Sequence, residues 1–234
     1  MSLAACLSWI VPGSASDPQQ ARLSPQGASR AAEWDSACSA GRLASPIELT
    51  DAASAEFKAV RIAYRPQDLA VLNTGHTIQV NSRPGNYIEL DGERFELLEY
   101  HFHRPAGPPG GAKAAAMALR LVHRNAAGAL AVLSVNMVEG RANRALDTVW
   151  MATPALPGRE QHFASIRLDP GSLLPIEPGQ FRYAGAITTP QCSGVEAWIE
   201  FLQPIELSAE QIRQFITLFP ADARPAQGAM LRDR

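Results

Sequence analysis

Cysteine is scarce in this chain of 234 residues: Cys6, Cys38 and Cys192 are all there are. Three thiols exclude a disulfide framework, and none forms a CxxC pair of the kind that ligates metal. One long-range bridge, Cys38 to Cys192, suits an oxidising compartment and leaves Cys6 over; three unpaired thiols are the plain alternative. An excess of basic charge is also missing. Lys and Arg total 21 against 23 Asp and Glu, a net charge of −2, which argues against a general nucleic-acid binder. No apolar run approaches the roughly 18 to 20 residues that a membrane-spanning helix needs, and no internal repeat or heptad is present. Aromatic residues are few, at 7%, and charged ones reach only 19%, yet 46% of the chain is hydrophobic. That fraction excludes global disorder and supplies a sizeable core. What remains is a soluble, mainly globular protein.

The N-terminus has an apolar stretch from Leu3 to Val11, followed by Pro12, Gly13, Ser14, Ala15 and Ser16. This is the pattern of a secretory h-region and a small-residue cleavage zone, although no Lys or Arg precedes it. Leu3-Ala4-Ala5-Cys6 resembles a lipoprotein cleavage box with too little chain before it, and a start placed too far downstream accounts for both gaps. The expectation is export, periplasmic or secreted, with a truncated signal; an unprocessed tail on a cytoplasmic protein stays open. Asp17 to Arg30 is rich in Pro, Gln, Ser and Ala without a hydrophobic period and reads as a loose arm. Residues 1–33 are therefore export signal and arm, and residues 34–234 a single domain.

From Trp34 onward, short runs with β-branched or aromatic residues recur between Gly, Pro and Asn turns. They are Val60 to Tyr64, Thr77 to Asn81, Tyr87 to Leu90, Phe95 to His103, Met117 to His123, Leu130 to Met137 and Trp198 to Leu202. Many short strands at this spacing predict a mainly β domain. Helical pattern is confined to Asn143 to Trp150 and Ser208 to Phe215. Ser208 and Gln211 stand at the capping-box positions of the second, and Pro220 closes it. His162 is isolated and reads as a surface or loop histidine.

One strand carries chemistry. His101 and His103 are two residues apart in Phe95 to His103, so their imidazoles project from one face. Two imidazoles alone make a weak metal signal, because a catalytic zinc normally takes three protein ligands and keeps a fourth position open for water. A pair of hydrogen-bonded histidines in a sheet is the plain reading.

The surrounding motifs, in order, resemble the α-carbonic anhydrase family from about Cys38 to Gln227. Ala44-Ser45-Pro46-Ile47 stands for QSPI and Leu72-Asn73-Thr74-Gly75-His76 for LxNxGH. Tyr100-His101-Phe102-His103, Leu121-Val122-His123-Arg124-Asn125 and Leu130-Ala131-Val132-Leu133 follow. Tyr183-Ala184-Gly185-Ala186-Ile187-Thr188-Thr189-Pro190 is similar to YxGSLTTPP, and Arg224-Pro225-Ala226-Gln227 to RPxQ. The resemblance implies a roughly ten-stranded, twisted, mostly antiparallel sheet with a few short helices and a conical pocket. In active members a zinc hydroxide attacks CO2 to give bicarbonate, zinc having lowered the pKa of its bound water to about 7. It implies His101 and His103 as zinc ligands, Thr188 as the residue that orients the hydroxide with Thr189 beside it, and His76 as proton shuttle. Val122, Val132, Ile187 and Trp198 match the apolar wall that receives CO2. Cys38 and Cys192 fall where bacterial members carry a disulfide, which favours the bridge and export.

The third ligand departs from the pattern. Where the family reads Glu-Leu-His-Leu-Val-His, this chain has Ala118-Leu119-Arg120-Leu121-Val122-His123. Arg120 takes the ligand position, and Gly107 and Pro108 replace a Glu-His pair whose glutamate would partner Thr188. His123 is no substitute, because alternation puts it on the opposite face from Arg120, and a one-residue slip would reverse every side chain. A guanidinium stays charged and has no lone pair for a metal. Unit charges about 4 Å apart repel by roughly 4 kcal/mol at an effective dielectric near 20, and the double charge of zinc doubles that. Set against the about 10–16 kcal/mol of a complete structural zinc site, losing a ligand and adding repulsion removes most of the affinity.

The sequence therefore predicts a carbonic-anhydrase-like protein with zinc absent or weakly bound and catalysis impaired. Arg120 beside His101, His103 and Thr188 could take a small anion such as bicarbonate, sulfate or a carboxylate. It could equally snorkel or pair with a carboxylate such as Glu99. An active carbonate dehydratase with a two-histidine zinc site is the alternative, and a scaffold working through its outer surface a third reading. A homodimer is allowed, and no motif names a protein partner.

Overall fold

The computed structural model describes residues 60–104, 115–176, 179–186 and 194–220, with backbone only for 183–186 and 194–196. Ten strands form one sheet: β1 (Arg61–Ala63), β2 (Gln67–Asn73), β3 (Ile78–Asn81), β4 (Tyr87–Leu90), β5 (Glu93–His103), β6 (Met117–Arg124), β7 (Leu130–Glu139), β8 (Arg159–Leu168), β9 (Gln180–Ala186) and β10 (Gly194–Leu207). The main path runs β8-β2-β3-β5-β6-β7-β10-β9, and β4 joins β5 to β1. β7 and β10 run parallel; the other pairings among the described residues are antiparallel. The mostly antiparallel ten-stranded architecture expected from the sequence is thus present.

Alternation along each strand decides which face is core. On β5, Tyr100 and Phe102 are buried while His101 and His103 are half-buried. Leu119 and Leu121 of β6, Leu133 and Val135 of β7, and Ile199 and Phe201 of β10 continue the buried face. Helix α1 (Arg144–Met151) and helix α2 (Ala209–Leu218) contribute to this same core. Trp150 meets Phe102 edge-on at 4.7 Å between ring centroids, and Phe215 lies 5.9 Å from Trp150. A β-sheet covered on one face by helices leaves the other face for a pocket.

The capping box read from the sequence is made, and the first helix has a cap of its own. Asn143 Oδ1 accepts from Ala145 N at 3.0 Å at the start of α1. Ser208 and Gln211 form the capping box of α2, with Gln211 N donating to Ser208 Oγ and Ser208 N donating to Gln211 Oε1. Gln211 also donates through Nε2 to Asn143 O at 2.7 Å, so one buried amide ties the two helix starts together.

Three strands lay outside the sequence reading. β8 is an edge strand, exposed along most of its length, so it has no hydrophobic period to show. His162 therefore sits on a strand, not in a loop, although it is at the surface as expected. β9 forms the other edge, and β2 joins a half-exposed start to a buried middle. β10 also continues past Leu202 through Pro204, where the register with β7 shifts between Phe201 and Ile205. Proline has no N–H for the ladder, and a bulge is where a sheet tolerates it. The two-residue link between β4 and β5, Asp91-Gly92, has φ of 52° and 90°. Positive φ at both positions is what a type I′ hairpin turn requires.

His123 belongs to the core face. It is fully buried, pairs with Leu97 and Ala131 in register, and its Nε2 lies 2.6 Å from the Tyr64 hydroxyl. Burial pulls its pKa from 6.5 down to about 3. The unfolded chain therefore takes up a proton as the pH falls below 6.5, while the folded chain stays neutral at this residue until about pH 3. Stability that is complete above pH 6.5 is lost across that window. Urea unfolding should show the parent losing about 1.5 kcal/mol more than a His123→Gln variant between pH 6.5 and about 5. Parallel pH profiles would contradict it.

Candidate active site

The four strands β5, β6, β7 and β10 lie side by side, and their registers build rows of side chains on the face away from the aromatic core. The first row is His101, Arg120, Ser134 and Glu200. The second is His103, Ala118 and Asn136. The third is Glu99, Val122, Val132 and Trp198. The structure thus brings His101, His103, Arg120, Val122, Val132 and Trp198 onto one surface of neighbouring strands. Thr188, Thr189, Ile187, Cys38, Cys192, Gly107 and Pro108 lie outside the described residues.

His101 and His103 stand edge to face, with ring centroids 4.6 Å apart. Both carboxylate oxygens of Glu99 lie 2.9 Å from His101 Nδ1. A carboxylate only accepts, so Nδ1 carries the proton between them. A carboxylate on one ring nitrogen is the arrangement that orients a metal-ligating imidazole. Glu99 is thus engaged by His101.

Val122, Val132 and Trp198 form a small apolar cluster separate from the main core, with Leu130 packed against it. The Arg120 guanidinium lies 4.9 Å above the Trp198 ring, within cation–π range. Two places beyond Arg120 in its row is Glu200, a residue the sequence reading did not single out. Its carboxylate accepts from Asn136 Nδ2 at 2.9 Å, and the Ser134 hydroxyl and Trp198 indole nearby favour its charged form. Burial pushes its pKa up, while those donors and the charge of Arg120 pull it back. Ser134, between the two in the row, is small and leaves room for both long arms. The signal for Glu200 was present as a single charge inside the apolar run Ala197 to Leu202.

His76 is exposed in the loop between β2 and β3. The loop's shape explains the Leu72-Asn73-Thr74-Gly75-His76 motif. Buried Asn73 donates to Pro154 O and accepts from Gly75 N, both at 2.8 Å, and Gly75 has φ of +85°. A side chain at that φ would be strained. Among the described residues, no three His, Cys, Asp or Glu side chains come together as a metal cluster.

The eukaryotic-type carbonic anhydrase family model matches residues 29–233. The chain belongs to the α-carbonic anhydrase family. It is 37% identical over 195 residues to a carbonic anhydrase of Nostoc sp., covering 81% of this chain and 74% of that protein. A carbonic anhydrase of Pectobacterium atrosepticum is 34% identical over 237 residues, covering 97% of this chain and 93% of its own length. Among solved structures, the α-carbonic anhydrase of Thermovibrio ammonificans, in complex with the inhibitor sulfanilamide, superposes with a TM-score of 0.77 at 35% identity, over 85% of this chain and 88% of that one. Carbonic anhydrases of this family are zinc-dependent.

The coupling of Arg120 to Glu200 is measurable. Glu200→Ala takes away the opposing charge and should cost about 3 kcal/mol, the scale for breaking a buried charge pair. In an Arg120→Met background the same change should cost less, by about 1–3 kcal/mol in a double-mutant cycle. Additive costs would show that the two charges do not act on one another.

Proposed function

We propose that this α-carbonic anhydrase family member retains the fold and the apolar CO2 wall but hydrates CO2 slowly or not at all. The observation that carries this reading is the register of β5 and β6, which sets Arg120 directly opposite His101. His101 and His103 supply two imidazoles, one fewer than the three ligands of a catalytic zinc. The next side chain in the row is a permanent cation with no lone pair. That donor set does not fit a catalytic zinc. The polar partners of Glu200 support the same reading, because they hold a carboxylate near Arg120 where an apolar wall would otherwise continue.

The pocket then has a guanidinium and two imidazoles for a small anion such as bicarbonate, sulfate or a carboxylate, and Glu200 offsets part of the charge. Anion binding is accordingly weak, and it should weaken further in Arg120→Ala; equal affinity in both proteins would remove Arg120 from any such role. Export to an oxidising compartment, with Cys38 bonded to Cys192, belongs to this reading through the apolar N-terminal run and the positions of the two cysteines.

The deciding experiment is elemental analysis of the purified protein for zinc, with stopped-flow CO2 hydration measured in added zinc. Metal far below one equivalent and a rate at the buffer level are expected. Stoichiometric zinc with hydration lost on chelation or in His101→Ala would establish the alternative, a working enzyme with a two-histidine site.

A further inference from the structure

A second charged feature lies on the opposite part of the sheet and shares no residue with the pocket. A cavity of about 360 Å³ opens between the link from β1 to β2, the turn from β3 to β4 and the end of β8. Arg65, Arg83 and Arg167 line it together with Asp68, Gln67 and Asn86. Three guanidiniums face one carboxylate there, a local excess of positive charge on a chain whose net charge is −2. The volume falls within the range of small-molecule sites.

The arginines are held by the framework around them. Arg65 N donates to Asn86 Oδ1 at 2.8 Å, and Asn86 is 1% exposed and bonded through its carbonyl to Leu97 N. Gln67 Oε1 accepts from Arg83 N at 3.0 Å, and its Nε2 donates to Ser82 Oγ at 3.0 Å, which locks β2 to the β3–β4 turn. Arg167 Nη2 donates to Pro66 O at 2.6 Å, and Arg83 Nη1 lies 3.0 Å from Asp68 Oδ2. Gly85 has φ of +116°, and a Cβ added there would come within 2.3 Å of Arg65 Nη2. The turn thus needs glycine for its backbone, and the Arg65 guanidinium lies against it. Among the described residues, no acceptor takes a hydrogen bond from the Arg65 guanidinium. Arg83 and Arg167 each have further N–H groups beyond the one bond named.

We infer that this cleft is a binding site for a small molecule bearing at least two negative charges on oxygen, a phosphate compound or a polycarboxylate. Planar guanidiniums pair with such groups through two parallel hydrogen bonds, and holding two of them beforehand, Arg83 on Asp68 and Arg167 on Pro66 O, lowers the entropic cost of binding. One of the three is balanced by Asp68, so two charges remain for the ligand. A single-charge anion such as chloride leaves one of them unmet.

The test is isothermal titration of the full chain with pyrophosphate, with citrate and with chloride at low ionic strength. Saturable one-to-one binding of pyrophosphate or citrate is expected, with chloride far weaker; whichever of the two binds more tightly identifies the source of the oxygens. Arg65→Ala and Arg167→Ala should each weaken binding by about tenfold or more, the scale of a lost charge-assisted pair. Both residues are exposed, and circular dichroism checks that the variants fold. Arg213→Ala, on the outer side of α2, should bind as the parent does. Absence of saturable binding, or equal loss in Arg213→Ala, would overturn the inference.

Discussion

The antiparallel pairing of β5 with β6 is the constraint from which both faces of the molecule follow. Because neighbouring residues point to opposite sides, setting Arg120 opposite His101 also sets Leu121 opposite Tyr100 and Leu119 opposite Phe102. The core side of this ladder is almost fully excluded from water and is closed by Trp150 and Phe215. A slip of β6 by one residue would carry Arg120 into that core and bring Leu119 and Leu121 out. Each large apolar side chain exposed would cost on the order of 1.5–3 kcal/mol, so the register is fixed by burial, whatever the pocket does. The chemistry of the pocket is therefore a passenger on a frame that the core has already decided.

That frame makes a charge at position 120 hard to accommodate and explains the company it keeps. A guanidinium in the middle of a sheet cannot be hydrated freely. Trp198 offers it a ring face, and Glu200 an opposing charge. Glu200 is itself costly to bury, and the Asn136 amide that donates to it, with the polar groups of Ser134 and Trp198 nearby, offsets part of that cost. The result is a network spread over three strands, in which removing one member leaves others unmet. Ion pairs of this kind add little net stability over a well-packed apolar alternative. Their value lies in making a charged side chain compatible with the position.

Much of this was legible from residues alone, and the reasons for the gaps are specific. β4 and β5 showed themselves because they alternate a buried face with a half-buried one, β6 and β7 as apolar runs buried along most of their length, and α2 because Ser208 and Gln211 have the spacing of a capping box. β8 and β9 are edge strands; β8 buries little along its length and so carries no period. His101, His103 and Arg120 were found by motif and spacing. Glu200, Ser134 and Asn136 were not, because they meet only through the parallel pairing of β7 with β10 and through the alternation of two distant segments. A single charge in an apolar strand was the available hint, and it identifies a buried polar residue without naming its partners.

The contrast between Arg120 and the cluster of three arginines at the edge is a consequence of where each lies. At the centre of the sheet a cation must be matched by the protein's own groups, since water cannot reach it well and an unmatched charge is expensive. Evolving a charge there means evolving its counter-charge, and the matched pair has little attraction left for a ligand. At the edge, by β8 and the β3–β4 turn, Arg65, Arg83 and Arg167 retain contact with solvent, so an incomplete match with Asp68 is cheap. The same exposure leaves the surplus charge accessible. An oxyanion entering that cleft displaces loosely held water and finds donors already in position, whereas one entering the central pocket must compete with Glu200. On these grounds the edge of the sheet, away from the histidine pair, is the stronger place for this protein to hold a multiply charged anion.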